Sequence, residues 1–131
     1  MSHRILGLAT ALLVGSAIPA AAHAQEHGGA PAGRQVTLTG TVVDVSCLVG
    51  SGATGDGHRQ CGQVCADAGL PLAILGSDGN IYMPLASAPG QGTNAQLRAH
   101  AEHRVQVTGR VIERNGVRGI RIESVTMPGG D

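Results

Sequence analysis

Apolar and polar residues alternate from position 36 to 41 (VTLTGT), which is the period-two pattern of a half-buried strand. After Gly40 the parity changes, and Cys47 falls on the same side as Val43 and Val45. A glycine at such a change indicates a bulge, or a strand that bends across two sides of a barrel. The pattern therefore predicts that Cys47 ends the first strand and faces inward.

Residues 58–71 (HRQCGQVCADAGLP) have helical rather than strand spacing. At about 100° per residue, His58, Cys61 and Cys65 fall within an arc of roughly 60°. Asp56 is placed to cap the start of this helix, and the Gly-x-Pro sequence at its other end is typical of a helix stop. We expect one imidazole and two thiols on a single face.

Two hairpins are predicted in the second half of the chain. Residues 70–75 and 81–85 flank a Gly-Ser-Asp-Gly-Asn turn, and residues 104–114 and 117–127 flank Asn115-Gly116. The Asn-Gly pair is the strongest short signal for a two-residue hairpin turn. Together with the first strand, these segments make five strands.

A helix of about nine residues is predicted between the hairpins, because Thr93 and Gln96 have the spacing of a capping box. The predicted fold is mostly β. It is a five-stranded OB-fold-like barrel over residues 35–127, with a short Cys-bearing helix after strand 1 and a second helix between strands 3 and 4.

The first 24 residues are predicted to be a secretory signal peptide. A weakly basic start precedes an apolar run that is shorter than the roughly 20 residues of a membrane span, and Ala22-His23-Ala24 resembles a cleavage site. We expect an exported protein, periplasmic or secreted, without a transmembrane span in the mature chain. Residues 25–34 are expected to be a flexible arm and residues 128–131 a flexible C-terminus.

Composition argues against several functions. Nine basic residues balance nine acidic ones, and Tyr82 is the only aromatic residue. Nucleic-acid binding is not expected, since it needs a basic surface and, for single strands, stacking platforms. No recognisable catalytic constellation or haem-attachment motif occurs, so we do not expect an enzyme.

The remaining polar candidates receive structural interpretations. His100 and His103 lie at the end of the predicted second helix, where histidines are common for electrostatic reasons. Asp44 and Glu113 are expected to be solvated positions on strands.

The cysteines and one histidine form the candidate site. Cys61 and Cys65 on an intact helix place their Cβ atoms about 5–6 Å apart, which is wide for a disulfide. A metal ion needs each sulfur only within about 2.3 Å of a common point. His58 can supply a third ligand and Cys47 a fourth, and such soft ligands suit Cu(I) first and zinc second.

Other interpretations of the same residues stay open. A disulfide from Cys47 to Cys61 or to Cys65 would suit an oxidising compartment and leave one spare thiol. The chain would then be a disulfide-stapled interaction module that binds another envelope protein. Thiol–disulfide exchange, or simple burial of the cysteines on an apolar helix face, are the remaining alternatives.

The segment from Cys47 to Pro71 resembles a group of small exported bacterial OB-fold-like proteins of unknown function. The shared pattern is a thiol near the end of strand 1, a glycine-rich loop, H-x2-C-x3-C-x3-G-x-P and a hairpin. Members of that group often have an aromatic residue after the first cysteine, whereas this chain has Leu48. The resemblance implies the barrel fold and an exported location.

The mature N-terminus offers a second candidate metal site. Cleavage after Ala24 would leave Gln25, Glu26 and His27, with a free amine followed by histidine at the third position. The amine, two backbone amides and an imidazole can surround Cu(II) or Ni(II) in a plane.

Overall fold

The computed structural model describes residues 33–129. The predicted signal peptide, nearly all of the predicted arm, including Gln25, Glu26 and His27, and the last two residues lie outside this range. Within it, no helix is both long enough and apolar enough to cross a membrane.

Five strands close into a barrel in the order β1-β2-β3-β5-β4, with β1 hydrogen-bonded to β4. Neighbouring strands are antiparallel except β3 and β5, which are parallel. This confirms the predicted five-stranded OB-fold-like barrel. The elements are β1 Arg34–Asp44, α1 Val45–Ser51, α2 Arg59–Asp67, β2 Leu72–Gly76, β3 Ile81–Pro84, β4 Arg104–Arg114 and β5 Val117–Thr126, with single 3₁₀ turns at Asp56–His58 and Arg98–His100.

Strand β1 changes partner at Gly40, but the predicted change of apolar parity does not occur, since Val36, Leu38 and Val42 all pack on the core. Its first part pairs with β4 and its last part with β2, and Gly40 lies opposite a residue of each partner. A Cβ atom at Gly40 would lie 2.5 Å from the carbonyl oxygen of Leu75. The strand therefore coils across two sides of the barrel because a glycine lets the backbones approach closely.

The hairpin turn between β4 and β5 was predicted correctly. Asn115 and Gly116 both have positive φ, 52° and 79°, as a two-residue type I′ turn requires. Pro84 ends β3, where its missing N–H costs no ladder bond inside the strand.

The barrel interior is almost wholly aliphatic, as the lack of aromatic residues requires. Tyr82 is 7% exposed and lies at its margin. The fully buried aliphatic side chains come from β1, β2, β4, β5 and the segment before β4, and the larger ones are Val42, Val43, Leu72, Ile74, Leu97, Val105, Val107 and Ile120.

The second helix is shorter than the capping-box pattern predicted. Only Arg98–His100 form a single 3₁₀ turn, and Thr93 does not begin a helix. The side chain of Asn94 is hydrogen-bonded instead to the Leu70 carbonyl oxygen at 2.7 Å and the Leu72 amide at 3.3 Å. These bonds fix the segment against the start of β2, so the local capping signal yields to tertiary contacts.

Candidate metal centre

The cysteines lie in an insert, residues 45–71, that leaves the barrel at the end of β1 and returns at the start of β2. The Val45 amide donates to the Pro71 carbonyl oxygen at 3.0 Å, directly across the base of the insert. Since β1 and β2 pair up to Asp44 and Leu72, both helices of the insert stand at one end of the barrel.

The first cysteine is on a helix, and the prediction that Cys47 ends a strand was wrong. Strand β1 stops at Asp44, whose side chain accepts a hydrogen bond from the Cys47 amide at 2.7 Å and caps α1. Asp44 is only 1% exposed, so the expectation that it is a solvated strand position was also wrong. An aspartate after an apolar strand serves here as a helix cap.

The second and third cysteines are on α2, as predicted, although the helix begins later. Asp56 starts a 3₁₀ turn and pairs with Arg59 instead of capping α2. The end of α2 follows the predicted Gly-x-Pro signal: Gly69 has φ of 82°, and the Leu70 amide donates to the Cys65 carbonyl oxygen. This pattern is a Schellman motif, which ends the helix one turn beyond Cys65.

The three thiols come together. The sulfur atoms of Cys47, Cys61 and Cys65 lie within 4.8 Å of one another, and all three cysteines are free. Three points this close always fit in a circle of radius about 2.8 Å. A shift of about 0.5 Å in each sulfur would therefore give bonds of about 2.3 Å to a shared ion. We call this set the sulfur triangle.

The sulfur triangle is open to solvent on one side. Cys61 is exposed, whereas Cys47 and Cys65 are half-buried. An ion could therefore enter or leave next to Cys61 without unfolding the insert.

His58 is not part of the sulfur triangle. It caps α2 at its N-terminus, and its Nε2 atom is buried without a hydrogen-bond partner. Three of the four predicted ligands therefore lie together in the structure. The fourth, His58, lies one turn before Cys61 and has an unpaired nitrogen. The other candidate ligands, at the mature N-terminus, are outside the described residues.

Two of the thiols are held in the neutral form. Partial burial, together with the hydrogen bond and charge of the nearby Asp44 carboxylate, raises the pKa of Cys65 to about 12. Partial burial and then the charge of Asp44 also raise the pKa of Cys47. A metal ion binding as thiolate complex must displace these protons, so its affinity should rise with pH.

Glu102 holds the loop of the insert in place by hydrogen bonds, and it was not among the residues predicted from the sequence. Its side chain is 2% exposed and accepts hydrogen bonds from the Gly55 amide at 2.7 Å and the Thr54 hydroxyl at 2.9 Å. The amide of Asp44 lies 3.4 Å from its other oxygen. One carboxylate thus ties the loop between the helices to the residue that caps α1.

The backbone at Glu102 is unusual and well fixed. Its φ is 60°, in the left-handed region that few non-glycine residues adopt. Its amide donates to the Val42 carbonyl oxygen at 2.7 Å, which anchors it to β1. The side chain then passes Gly62 on α2, where a Cβ atom would lie 2.5 Å from the Glu102 Cγ.

No local pattern in the sequence could have identified Glu102. Glu102 contacts residues 47, 48 and 58 positions away in the chain. The one available signal was Gly62, a glycine within a helix, since such a residue often marks a close contact.

The other predicted polar positions are outside the site. Glu113 is exposed beside Arg118 on the next strand, as expected. His100 ends the 3₁₀ turn, and His103 is half-buried in a surface depression of about 600 Å³ that it shares with α2. None of them belongs to the sulfur triangle.

Comparison with known proteins adds no relative. No protein-family model, curated protein or solved structure matches the chain. The class that fold and site define together is an OB-fold-like barrel with a three-cysteine cluster close enough to hold a metal ion.

Proposed function

We propose that this chain is an exported protein that holds one soft metal ion for buffering or delivery, with Cu(I) the first choice and zinc the second. The observation that carries the proposal is the sulfur triangle, because three thiols from two helices meet at distances that suit one ion. The predicted signal peptide and the resemblance described above support an exported or periplasmic location.

The chemistry of the ligands favours a soft ion. Thiolates select Cu(I) and Zn(II) over hard cations such as Mg²⁺ or Ca²⁺. Three sulfurs complete a trigonal Cu(I) site, whereas zinc prefers four ligands. For zinc we propose His58 as the fourth, since its buried Nε2 lacks a partner. The exposure of Cys61 suits exchange of the ion with another carrier.

The test is the number of thiols that one equivalent of metal protects. We expect Cu(I) to protect all three thiols of the reduced mature protein in a one-to-one complex. Serine in place of Cys47, Cys61 or Cys65 should each weaken affinity by at least about 10-fold, the lower end of what even outer ligand contacts contribute. Val49→Ser, on the exposed side of α1, is the matched control and should bind normally. Equal metal content in the wild type and a Cys61/Cys65 double variant would refute the proposal.

A second candidate function is a disulfide-stapled module that binds another envelope protein. The closeness of Cys47 to both α2 sulfurs favours it, because either disulfide would need only a local movement to reach about 2.05 Å. Exposed Val49 and Val64 on the two helices would provide apolar contact. Protein taken from the periplasm would then show one free thiol whether or not metal is added, instead of three.

A further inference from the structure

We propose that the sulfur triangle also captures trivalent arsenic, taken up as arsenous acid and held by all three sulfurs of Cys47, Cys61 and Cys65. This inference rests on the proposed function in one respect, namely that the three thiols act as a single site. It extends that function from metal cations to a neutral metalloid acid.

The number and type of donors suit this ligand. Trivalent arsenic forms three bonds to sulfur in a pyramid and keeps a lone pair on its fourth side. The sulfur triangle supplies three sulfurs within 4.8 Å of one another, and His58 is not part of it. A pyramidal centre needs no fourth ligand, and its lone pair can face the solvent-exposed side next to Cys61.

The charge around the site also suits a trivalent centre. Asp44 is 1% exposed, its Oδ2 is buried without a hydrogen-bond partner, and it lies beside the thiols of Cys47 and Cys65. Asp44 takes no part in the ion pairs found within residues 33–129. Extra negative charge next to this carboxylate is therefore unfavourable.

A trivalent centre adds no such charge. Three thiolates around Cu(I) carry two net negative charges, and around Zn(II) they carry one. Three thiolates around As(III) are neutral, so they add no charge beside Asp44.

The binding step is balanced without an oxidant or reductant. Arsenous acid, As(OH)₃, reacts with three protein thiols; three As–O bonds break, three As–S bonds form, and each departing hydroxide takes one thiol proton to leave as water. Arsenic stays trivalent and sulfur stays fully reduced throughout. No free proton is released to the solvent, unlike the binding of a metal cation to the same neutral thiols.

The experiment titrates the reduced mature protein with sodium arsenite and counts free thiols and bound arsenic. We expect one arsenic per chain by native mass spectrometry, with all three thiols protected. Cys47→Ser should weaken arsenite binding by at least about 10-fold, the lower end of losses seen for outer ligand contacts. Phenylarsine oxide needs only two sulfurs, so it should still bind that variant through Cys61 and Cys65, and an unchanged circular dichroism spectrum shows that the variant is folded.

Two results would overturn the inference: protection of two thiols or fewer in the wild type, or equal arsenite affinity in the wild type and Cys47→Ser. The same samples are titrated with Cu(I) against a competing chelator. Copper binding through three thiols without arsenite binding would refute this inference alone. Failure of copper, zinc and arsenite together would refute the proposed function as well.

Discussion

At the scale of single residues, the site depends on two buried carboxylates that have no cationic partner in the described part of the chain. Asp44 orients the first turn of α1, and Glu102 receives donors from the loop that joins the two helices. Hydrogen bonds from backbone and hydroxyl donors replace the ion pairs that buried charges usually need. Glu102 therefore acts on the sulfurs through the backbone that carries them, whereas Asp44 also acts directly through its charge beside Cys47 and Cys65.

Replacement of Glu102 by glutamine should weaken metal binding by about 10-fold or more, the range found when an outer contact of a ligand is lost. The amide would place an N–H donor either against the donors of Thr54 and Gly55 or, in its other orientation, against the Asp44 amide, so the loop or the start of α1 would lose its fixed position. Affinity for Cu(I) or Zn(II), measured by chelator competition, checks the prediction.

Glu113→Gln is the matched control, because Glu113 is an exposed carboxylate on β4 that pairs only with Arg118. It should leave affinity unchanged. If both variants bound metal as the wild type does, Glu102 would have no positioning role.

At the scale of elements, the two helices of the insert differ in how they are held. Helix α1 has no fully buried residue, and its cap at Asp44 is its main attachment. Helix α2 buries Gly62 and Ala66 against the barrel. The position of Cys47 thus depends on a cap, and the positions of Cys61 and Cys65 depend on packing.

Alanine substitutions at Gly62 on α2 and at Gly50 on α1 should distinguish the packed helix from the capped one. Gly62→Ala should lower the free energy of unfolding by about 1–3 kcal/mol through overpacking, because the new Cβ would meet Glu102. Gly50→Ala on α1 has nothing within 4 Å and should leave stability equal or higher by up to about 1 kcal/mol. Urea unfolding of both variants checks this, and a Gly62→Ala protein as stable as Gly50→Ala would contradict the contact.

The β4–β5 turn gives a further test of an element. Gly116→Val forces a β-branched residue into positive φ and should destabilise the protein by about 1–2 kcal/mol. Gly92→Val makes the same substitution in an open loop where φ is not positive, and it should have little effect. Thermal unfolding of the pair checks the turn, and equal melting temperatures would count against it.

These elements show what the sequence could predict. The barrel, both hairpins and the end of α2 follow from local signals, namely period-two alternation, Asn115-Gly116 and the glycine after α2. The short 3₁₀ turn does not, because Asn94 makes its decisive bonds to residues whose positions only the folded chain defines. The start of α1 has a local cap at Asp44, but the apolar pattern of β1 concealed it. The shared face of Cys61 and Cys65 was predicted from spacing, but not the carboxylates behind them.

At the scale of the whole molecule, stability should depend on pH through the only aromatic residue. The Tyr82 hydroxyl donates to Asp78 at 2.6 Å in the β2–β3 turn. This bond, then those from Asn80, lower the pKa of Asp78 from 3.8 to about 2. The same bond, with burial, raises the pKa of Tyr82 above 10.

Because the pKa of Asp78 is lower in the folded protein, its ionised carboxylate stabilises the fold above pH 3.8. This stabilisation is lost as pH falls towards 2. Because the pKa of Tyr82 is higher in the folded protein, its protonated hydroxyl stabilises the fold below pH 10. This stabilisation is lost as pH rises through the pKa of Tyr82 in the folded protein. Tyr82→Phe removes the Tyr82 effect and the largest part of the Asp78 effect, while the bonds from Asn80 remain. The wild type should therefore exceed this variant in free energy of unfolding between these limits, and the difference should shrink outside them. Urea unfolding followed by circular dichroism across pH checks it; a difference constant with pH would show that the bond contributes nothing.

The single hydrogen bond from Val45 to Pro71 has a consequence for how such a protein can arise or be engineered. The insert leaves and rejoins two adjacent strands at one point, so the cysteine-bearing segment could be transplanted as one piece onto another antiparallel strand pair. The recipient would have to provide two buried acids, in the places of Asp44 and Glu102, and an apolar surface for Ala66 of α2. The boundary between insert and scaffold therefore consists of two backbone positions, two carboxylates and one core contact.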